Sequence, residues 1–347
     1  MTALSKERSP LLPDRHPTPD FFVCDIFDAA PKGDMASMEH PIFSLSTKPD
    51  HHIRRYEHGD NFVEIKPSAD GLATVHDRDI LIYCISQVMA AINDEREVSQ
   101  TIRFKAHELL KATNRMTNGR GYEGVKAALE RLAGTRINTN IITGGKEIFN
   151  NFGLIDRFEI VRETRDGRMQ EVEVKLSDWV FNALRHNEVL TLSRNYFRLR
   201  KPIERRIYEL ARKHCGRQPE WRISLSLLQK KCGAVSSQRE FRRLMANIVA
   251  EDQAHAHIPD YAVTFESEDM VRFRNRGTVQ RITSPETDTH AMHISADGYE
   301  EARLVAPGWD IYVLEQEWRS WITEPPRNVD AAFVGFCRKW YERRGSA

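Results

Sequence analysis

The chain has 347 residues, room at about 150 per domain for two or three domains. Its 51 Lys/Arg against 50 Asp/Glu leave a net charge of +1, and 40% hydrophobic with 29% charged residues fits a soluble globular protein with no apolar run near the roughly 20 residues of a membrane span. The first residues lack the apolar centre of a secretory signal, and five cysteines (Cys24, Cys84, Cys215, Cys232 and Cys337) are sparse and odd in number, so reduced thiols in a cytoplasmic protein are expected and a disulfide scaffold is not.

In chain order, residues 1–40 are rich in Pro, Asp and Ser and read as a mostly irregular leader, with one apolar patch at Phe21, Phe22 and Val23. Short extended pieces such as Phe62–Ile65 follow. Leu81, Ile85, Val88, Met89 and Ile92 recur at helical spacing and predict a helix over Ile80–Ile92. Then come a strand (Thr101–Phe104), a short helix (Lys105–Ala112), a polar turn (Asn114–Arg120) and a helix (Tyr122–Ala133). Arg136–Ile142 and Leu154–Val161 alternate like paired strands, and a third run covers Glu171–Leu176.

The order then repeats. Pro202–His214 predicts a helix opened by proline, Trp221–Ser224 a strand, Leu225–Lys231 a short helix closed by Gly233, and Gln238–Ala250 a helix. Tyr261–Phe265 and Met270–Arg274 alternate as a hairpin. Val125, Leu129 and Leu132 match Phe241, Met245 and Ile248 at a constant offset of 116, a repeat of pattern rather than of identity. Helix, strand, short helix, turn, helix and hairpin is the order of a winged helix-turn-helix, whose third helix enters the DNA major groove. The expected class is α+β: tandem winged helix-turn-helix domains over 41–176 and 177–276, a polar linker over 277–308, and a C-terminal helical hairpin over 309–347 built from Trp309–Ile322 and Val329–Tyr341.

The neutral total hides segregated charge. Phe197–Arg243 carries 14 Lys/Arg and 4 Asp/Glu, whereas Ser284–Pro326 carries 2 and 9. Such segregation suits one surface made for a polyanion. On Gln238–Ala250 the apolar stripe leaves Arg239, Arg242 and Arg243 around the small Ala246, so guanidinium forks could reach phosphates or guanine edges. Arg198, Arg200, Lys201, Arg205, Arg206, Lys230 and Lys231 add charge from neighbouring elements, and Arg272, Arg274 and Arg276 recur at period two on the hairpin. With so few acids in the segment, ion pairing should not consume this charge. The first unit offers Asn114, Arg115, Arg120, Tyr122 and Lys126 at its turn and third helix. All eighteen are candidate DNA contacts.

Other patterns point elsewhere and are set aside. Gly119–Gly124 matches G-x-G-x-x-G, but a polar turn precedes it where a nucleotide fold needs an apolar strand; its glycines more simply allow close packing. His255-Ala-His257 followed by Tyr261 suggests a metal-dependent rolling-circle nickase, with Ala where a bulky apolar residue is expected and Tyr261 badly placed to face the metal. Cys215, Cys232, His214 and His255 lack the spacing of common zinc sites. No catalytic residue, metal or cofactor is expected.

Several phrases resemble the plasmid replication initiator protein A family: residues 37–50 (SMEHPIFSLSTKPD), 54–59 (RRYEHG), 76–88 (HDRDILIYCISQV), 134–145 (GTRINTNIITGG), 174–184 (VKLSDWVFNAL) and 196–216 (YFRLRKPIERRIYELARKHCG). The resemblance covers about residues 20–275. It implies a non-catalytic, cytoplasmic, plasmid-borne protein that binds repeated double-stranded sites in a replication origin. It also implies help in recruiting host DnaA and the replicative helicase, and initiators of this design switch between a repressing dimer and an initiating monomer. The alternatives are the nickase and a winged-helix transcriptional regulator.

Overall fold

Two stretches of the chain repeat one arrangement of elements. The computed structural model describes residues 10–16, 24–25, 42–58, 61–93, 96–139, 142–143, 146–147, 150–162, 169–185, 190–216, 218–267, 269–278, 294, 296–321, 326 and 328–345. In chain order, β1 (Cys24–Asp25) precedes the hairpin β2 (Arg54–His58) and β3 (Asn61–Lys66). Next come α1 (Arg78–Asn93), β4 (Thr101–Lys105), α2 (Ala106–Ala112) and α3 (Gly119–Gly134). The strands β5 (Arg136–Thr139), β6 (Ile142–Thr143), β7 (Lys146–Glu147) and β8 (Asn150–Gly153) intervene before β9 (Ile155–Arg162) and β10 (Met169–Leu176). The first stretch closes with α4 (Asp178–Arg185) and β11 (Leu190–Thr191), which pairs with β1. After a 3-10 turn over Arg194–Arg198, the second stretch runs α5 (Pro202–His214), β12 (Glu220–Ser224), α6 (Leu225–Cys232), α7 (Gln238–His255), β13 (Tyr261–Ser267) and β14 (Met270–Asn275).

The likeness of the two stretches is clearest in their sheets. One has strand order β4-β10-β9 and the other β12-β14-β13, all antiparallel, so in each the strand between the first two helices pairs with the far strand of the closing hairpin. Phe104 sits opposite Val172, and Ile223 opposite Val271. Period-two alternation turns these side chains onto the helices, and Phe104, Val172, Val174, Ile223, Val271 and Phe273 are buried. The helices answer with the expected stripes. Leu81, Ile85, Val88 and Met89 of α1, Val125, Leu129 and Leu132 of α3, and Phe241, Met245 and Ile248 of α7 are all buried; each such side chain contributes about 1.5–3 kcal/mol.

Local signals set the helix ends. Asn118, Ser224 and Ser237 each accept a backbone N–H from the first turn of α3, α6 and α7. Gly233 ends α6 at φ +67°, a left-handed conformation that glycine takes without cost. At Gly121 a Cβ would stand 1.8 Å from the Met116 carbonyl oxygen, so the second glycine of G-x-G-x-x-G is required by packing within this turn.

Three expectations need correction. Among the described residues, 136–142 and 154–161 are not partners: β5 pairs with β3 and β8 in the sheet β2-β3-β5-β8, while β9 pairs with β10. Alternation identifies a strand but does not choose its neighbour. In the leader, residues 10–16 are irregular as expected, yet they bridge both stretches, as described below; Phe21–Val23 lies outside the described residues. The expected linker contains a helix, α8 (Ala296–Val305), ahead of α9 (Ile311–Trp321) and α10 (Val329–Arg344). The C-terminal element is therefore three helices rather than a hairpin. α8 supplies what two helices lacked, and Ala302, Ala306, Ile311, Leu314, Trp318, Phe333, Val334 and Cys337 form a third core. The Ser224 hydroxyl donates to Asp310 at 2.9 Å, tying this piece to the second stretch. Among the described residues, no helix is long and apolar enough to cross a membrane.

Candidate nucleic-acid interface

α7 is amphipathic because its apolar residues recur every three or four positions, which commits one face to the core and frees the other. Arg239, Arg243 and Ala246 are exposed and Arg242 is partly exposed. Arg242 Nη2 donates to Asp269 at 2.6 Å, in the turn between β13 and β14, and Arg243 pairs with Glu240 one helical turn back at 2.7 Å. Both pairs face solvent, where ion pairs are weak and readily exchanged for a phosphate. Arg239 makes no ion pair among the described residues.

The adjoining elements are a different case. Arg205 and Arg206 of α5 are 4% and 6% exposed. Arg205 Nη1 donates to Asp79 of α1 at 2.6 Å and its Nε to the Leu199 carbonyl. Burial opposes its charge, but Asp79, Tyr196 and Glu209 raise its pKa above the ordinary guanidinium value. Arg206 bonds the Lys231 carbonyl and Glu209, and Glu209 also takes Arg78 Nη1 and the Tyr196 hydroxyl. Arg205 through Asp79 and Arg78 through Glu209 join the two stretches, whereas Arg206 ties α5 to α6 within the second; all three are buried. Lys231 is buried too, whereas Lys230 is exposed. The charge arithmetic failed here because it counted acids only within 197–243; Asp79, Glu251 and Asp269 come from outside that segment.

At the polar turn, Asn114 adopts φ +54° and is 7% exposed. Its Oδ1 accepts the Arg15 backbone N–H at 2.8 Å, and its Nδ2 donates to the Pro13 carbonyl at 3.1 Å. Arg115 pairs with Asp79 at 3.2 Å and also donates to the His76 carbonyl. On the other side of the leader, Leu12 N donates to the Arg198 carbonyl and Arg198 Nε to the Leu12 carbonyl, at 2.9 and 2.8 Å. Asn114, Arg115 and Arg198 are thus anchors for residues 12–16. Arg120 remains exposed at the start of α3; Lys126 is half-exposed beside Glu130, and Tyr122 lies near His107. Arg120, Lys48 and Arg200 open onto a cleft of about 510 Å³ between the two stretches, floored by Thr113, Phe197 and Leu199.

On the hairpin, Arg274 is exposed, Arg272 is partly covered and 3.7 Å from Glu266, and Arg276 is held by Asp252 at 2.7 Å. The register sets Arg222 opposite Arg272, so this sheet face has one more cation than period-two reading found. A lone arginine in a four-residue strand gave no signal of it. Lys201 is half-exposed but bound to Glu251 at 2.8 Å. Of the eighteen candidates, Arg120, Arg200, Lys230, Arg239 and Arg274 are exposed without an ion pair among the described residues. Lys126, Lys201, Arg242, Arg243 and Arg272 sit in surface pairs. Asn114, Arg115, Arg198, Arg205, Arg206, Lys231 and Arg276 serve the fold, and the uncharged Tyr122 is partly buried beside His107.

The nickase constellation does not assemble. His255 is exposed, His257 is buried, and the buried Tyr261 donates its hydroxyl to the Gly216 carbonyl at 2.9 Å. Burial raises the pKa of Tyr261 far above the ordinary phenol value, the reverse of what a nucleophile needs. Burial likewise pushes the Cys84, Cys215, Cys232 and Cys337 thiols up to about 12, so they are core thiols.

Comparison with known proteins gives this arrangement a setting. The chain is 38% identical over 263 residues to a putative replication protein of Wigglesworthia glossinidia brevipalpis, covering 74% of this chain and 94% of that one. Its fold is similar to domains 2 and 3 of RctB, with a TM-score of 0.51 at 13% identity over 69% of this chain and 96% of that one. The model of the family described as replication initiator protein A matches residues 32–263, about two thirds of the sequence. The chain therefore belongs to the replication initiator protein A family.

Proposed function

We propose that the protein initiates plasmid replication by binding repeated double-stranded DNA sites in an origin through two winged helix-turn-helix units. The observation that carries this reading is the repeated sheet order, β4-β10-β9 and β12-β14-β13, each beneath a helix with a polar outward face, on a chain of the replication initiator protein A family. α3 and α7 are the groove helices, and β9–β10 and β13–β14 the wings. Arg239, Arg242 and Arg243 with Lys230, Arg222, Arg272 and Arg274 form the cationic face of the second unit. Arg120 and Lys126 serve the first, and Arg200 lies between them. The buried pairs Arg205–Asp79 and Arg78–Glu209 fix the angle between the units and so the spacing of the grooves they can reach together.

In this reading the protein acts in the cytoplasm without catalysis. Its three C-terminal helices are a surface for host DnaA or helicase, and self-association hides or exposes the first unit. The test is footprinting of the full chain on DNA flanking its own gene, with affinity measured against salt. Tandem protected repeats are expected, and with about 6–10 phosphate contacts affinity should fall by roughly 10³–10⁵ between about 50 and 200 mM salt. A single protected palindrome would mark a transcriptional regulator, and a flat salt response would remove the cationic faces from the interface.

A further inference from the structure

The N-terminus of α5 meets the C-terminus of α7 around a histidine that the DNA-binding reading does not use. His257 is 1% exposed, and neither of its ring nitrogens makes a hydrogen bond. Its Nε2 lies 3.4 Å from Glu204 Oε1 and 3.9 Å from Glu251 Oε2. Glu204 is buried as well, and its Oε1 has the Lys201 ammonium 3.0 Å away. One ligand atom from each of Glu204, Glu251 and His257 can be chosen so that all lie within 4.8 Å of one another. Leaving a buried imidazole unsatisfied is costly, of order 1–3 kcal/mol.

We propose that Glu204, Glu251 and His257 form a binding site for a divalent transition metal, with Zn²⁺ the best fit. Atoms bound tetrahedrally to zinc at about 2.1 Å stand about 3.4 Å apart, which is the His257–Glu204 separation. Glu251 closes the remaining gap by a small rotation of a side chain that is 36% exposed. Water takes the fourth position. The imidazole donor favours zinc or another late transition metal over Mg²⁺ or Ca²⁺.

Two further observations support the site. Lys201 Nζ stands 3.0 Å from Glu204 Oε1 and 2.8 Å from Glu251 Oε2, so a monovalent cation already occupies the field of two carboxylates. The Lys201 side chain is 45% exposed and can swing into solvent when a divalent ion arrives. On the far side of the ring, His257 Nδ1 faces Asp252 Oδ1 at 4.0 Å. Asp252 is fixed by the backbone N–H groups of Ile258 and Val263 and by Arg276. At that distance the carboxylate makes no hydrogen bond to the ring, but its negative charge behind His257 favours a bound cation. The metal would clamp the C-terminal end of α7 to α5.

The experiment uses the full chain stripped of metal by a chelator, titrated with Co²⁺ as a spectroscopic probe and then with Zn²⁺. One Co²⁺ per chain with the visible bands of four-coordinate geometry is expected, displaced by Zn²⁺ and not by Mg²⁺. Glu251→Gln, on a partly exposed side chain, should weaken binding by at least about tenfold. His257→Gln should abolish the bands, and Lys201→Met, which removes the competing ammonium, should tighten binding. If His257→Gln fails to fold, Glu251→Gln and Lys201→Met decide the matter. Absence of the bands in both the wild type and Lys201→Met, or bands unchanged in Glu251→Gln, would overturn the assignment.

Discussion

Arg205 Nη1 and Asp79 Oδ1 lie 2.6 Å apart with side chains 4% and 2% exposed, and together they join α5 of the second stretch to α1 of the first. Asp79 also receives Arg115, beside the anchor of the leader at Asn114. One carboxylate thus links both helical platforms and the turn before α3. Removing one partner of a buried pair strands the other. Arg205→Met should therefore destabilise the protein by about 3–5 kcal/mol. Pairing it with Asp79→Asn should recover part of the loss. Urea unfolding of the single and double variants measures both, and a single variant within about 0.5 kcal/mol of wild type would show that the pair does not hold the junction.

The exposed face of α7 should behave in the opposite way. Arg239→Ala touches no ion pair among the described residues, so the unfolding midpoint should stay unchanged. If Arg239 binds a phosphate, the slope of log affinity against log salt should fall by about 0.9. Reversing charge with Arg242→Glu and Arg243→Glu together should abolish origin binding while circular dichroism remains native. Binding that survives the double reversal would exclude α7 as the anchor.

Asn114 separates a backbone effect from a side-chain one. At φ +54° glycine is comfortable and alanine is strained. Asn114→Gly removes the bonds to Arg15 and Pro13 alone, whereas Asn114→Ala also strains the backbone by about 1–2 kcal/mol. Both should loosen residues 12–16, with Ala the less stable. Limited proteolysis should cut the leader faster in both variants, and thermal unfolding should rank them.

His76 gives the protein a pH signature. Burial, with Arg205 and Arg115 nearby, lowers its pKa from 6.5 to about 3, so the folded state holds a neutral imidazole where the unfolded chain would be protonated. A base depressed in the folded state stabilises above its unfolded value and loses that stability as pH falls. The loss should run at about 1.4 kcal/mol per pH unit from 6.5 down toward 3. Between about pH 6.5 and 5, before carboxylates titrate, His76→Gln should flatten the dependence of unfolding free energy on pH. An equal slope in wild type and variant would refute the assignment.

Local order was legible where short-range physics decides it. Helical spacing marked Leu81 to Met89, Gly233 marked the end of α6, and the offset between Val125 and Phe241 marked the repeat. α8 was missed because its apolar side chains, Tyr299, Ala302 and Val305, sit among acids and a glycine. The strand partners of β5 and β9 were missed because alternation is the same whichever neighbour a strand takes. For the candidate site, sequence periodicity found the outward face of α7 and could not sort the arginines of α5.

By itself, then, the order of amino acids determined which segments coil or extend, which face of each turns inward, and that one unit occurs twice, because these follow from neighbours a few residues apart. Only the tertiary structure decided which charges remain in water. Arg205 and Arg239 look alike in sequence, but a carboxylate 126 residues away meets the first and none meets the second among the described residues. Burial of a charge depends on the partner that folding brings to it, and that partner lies outside any local window.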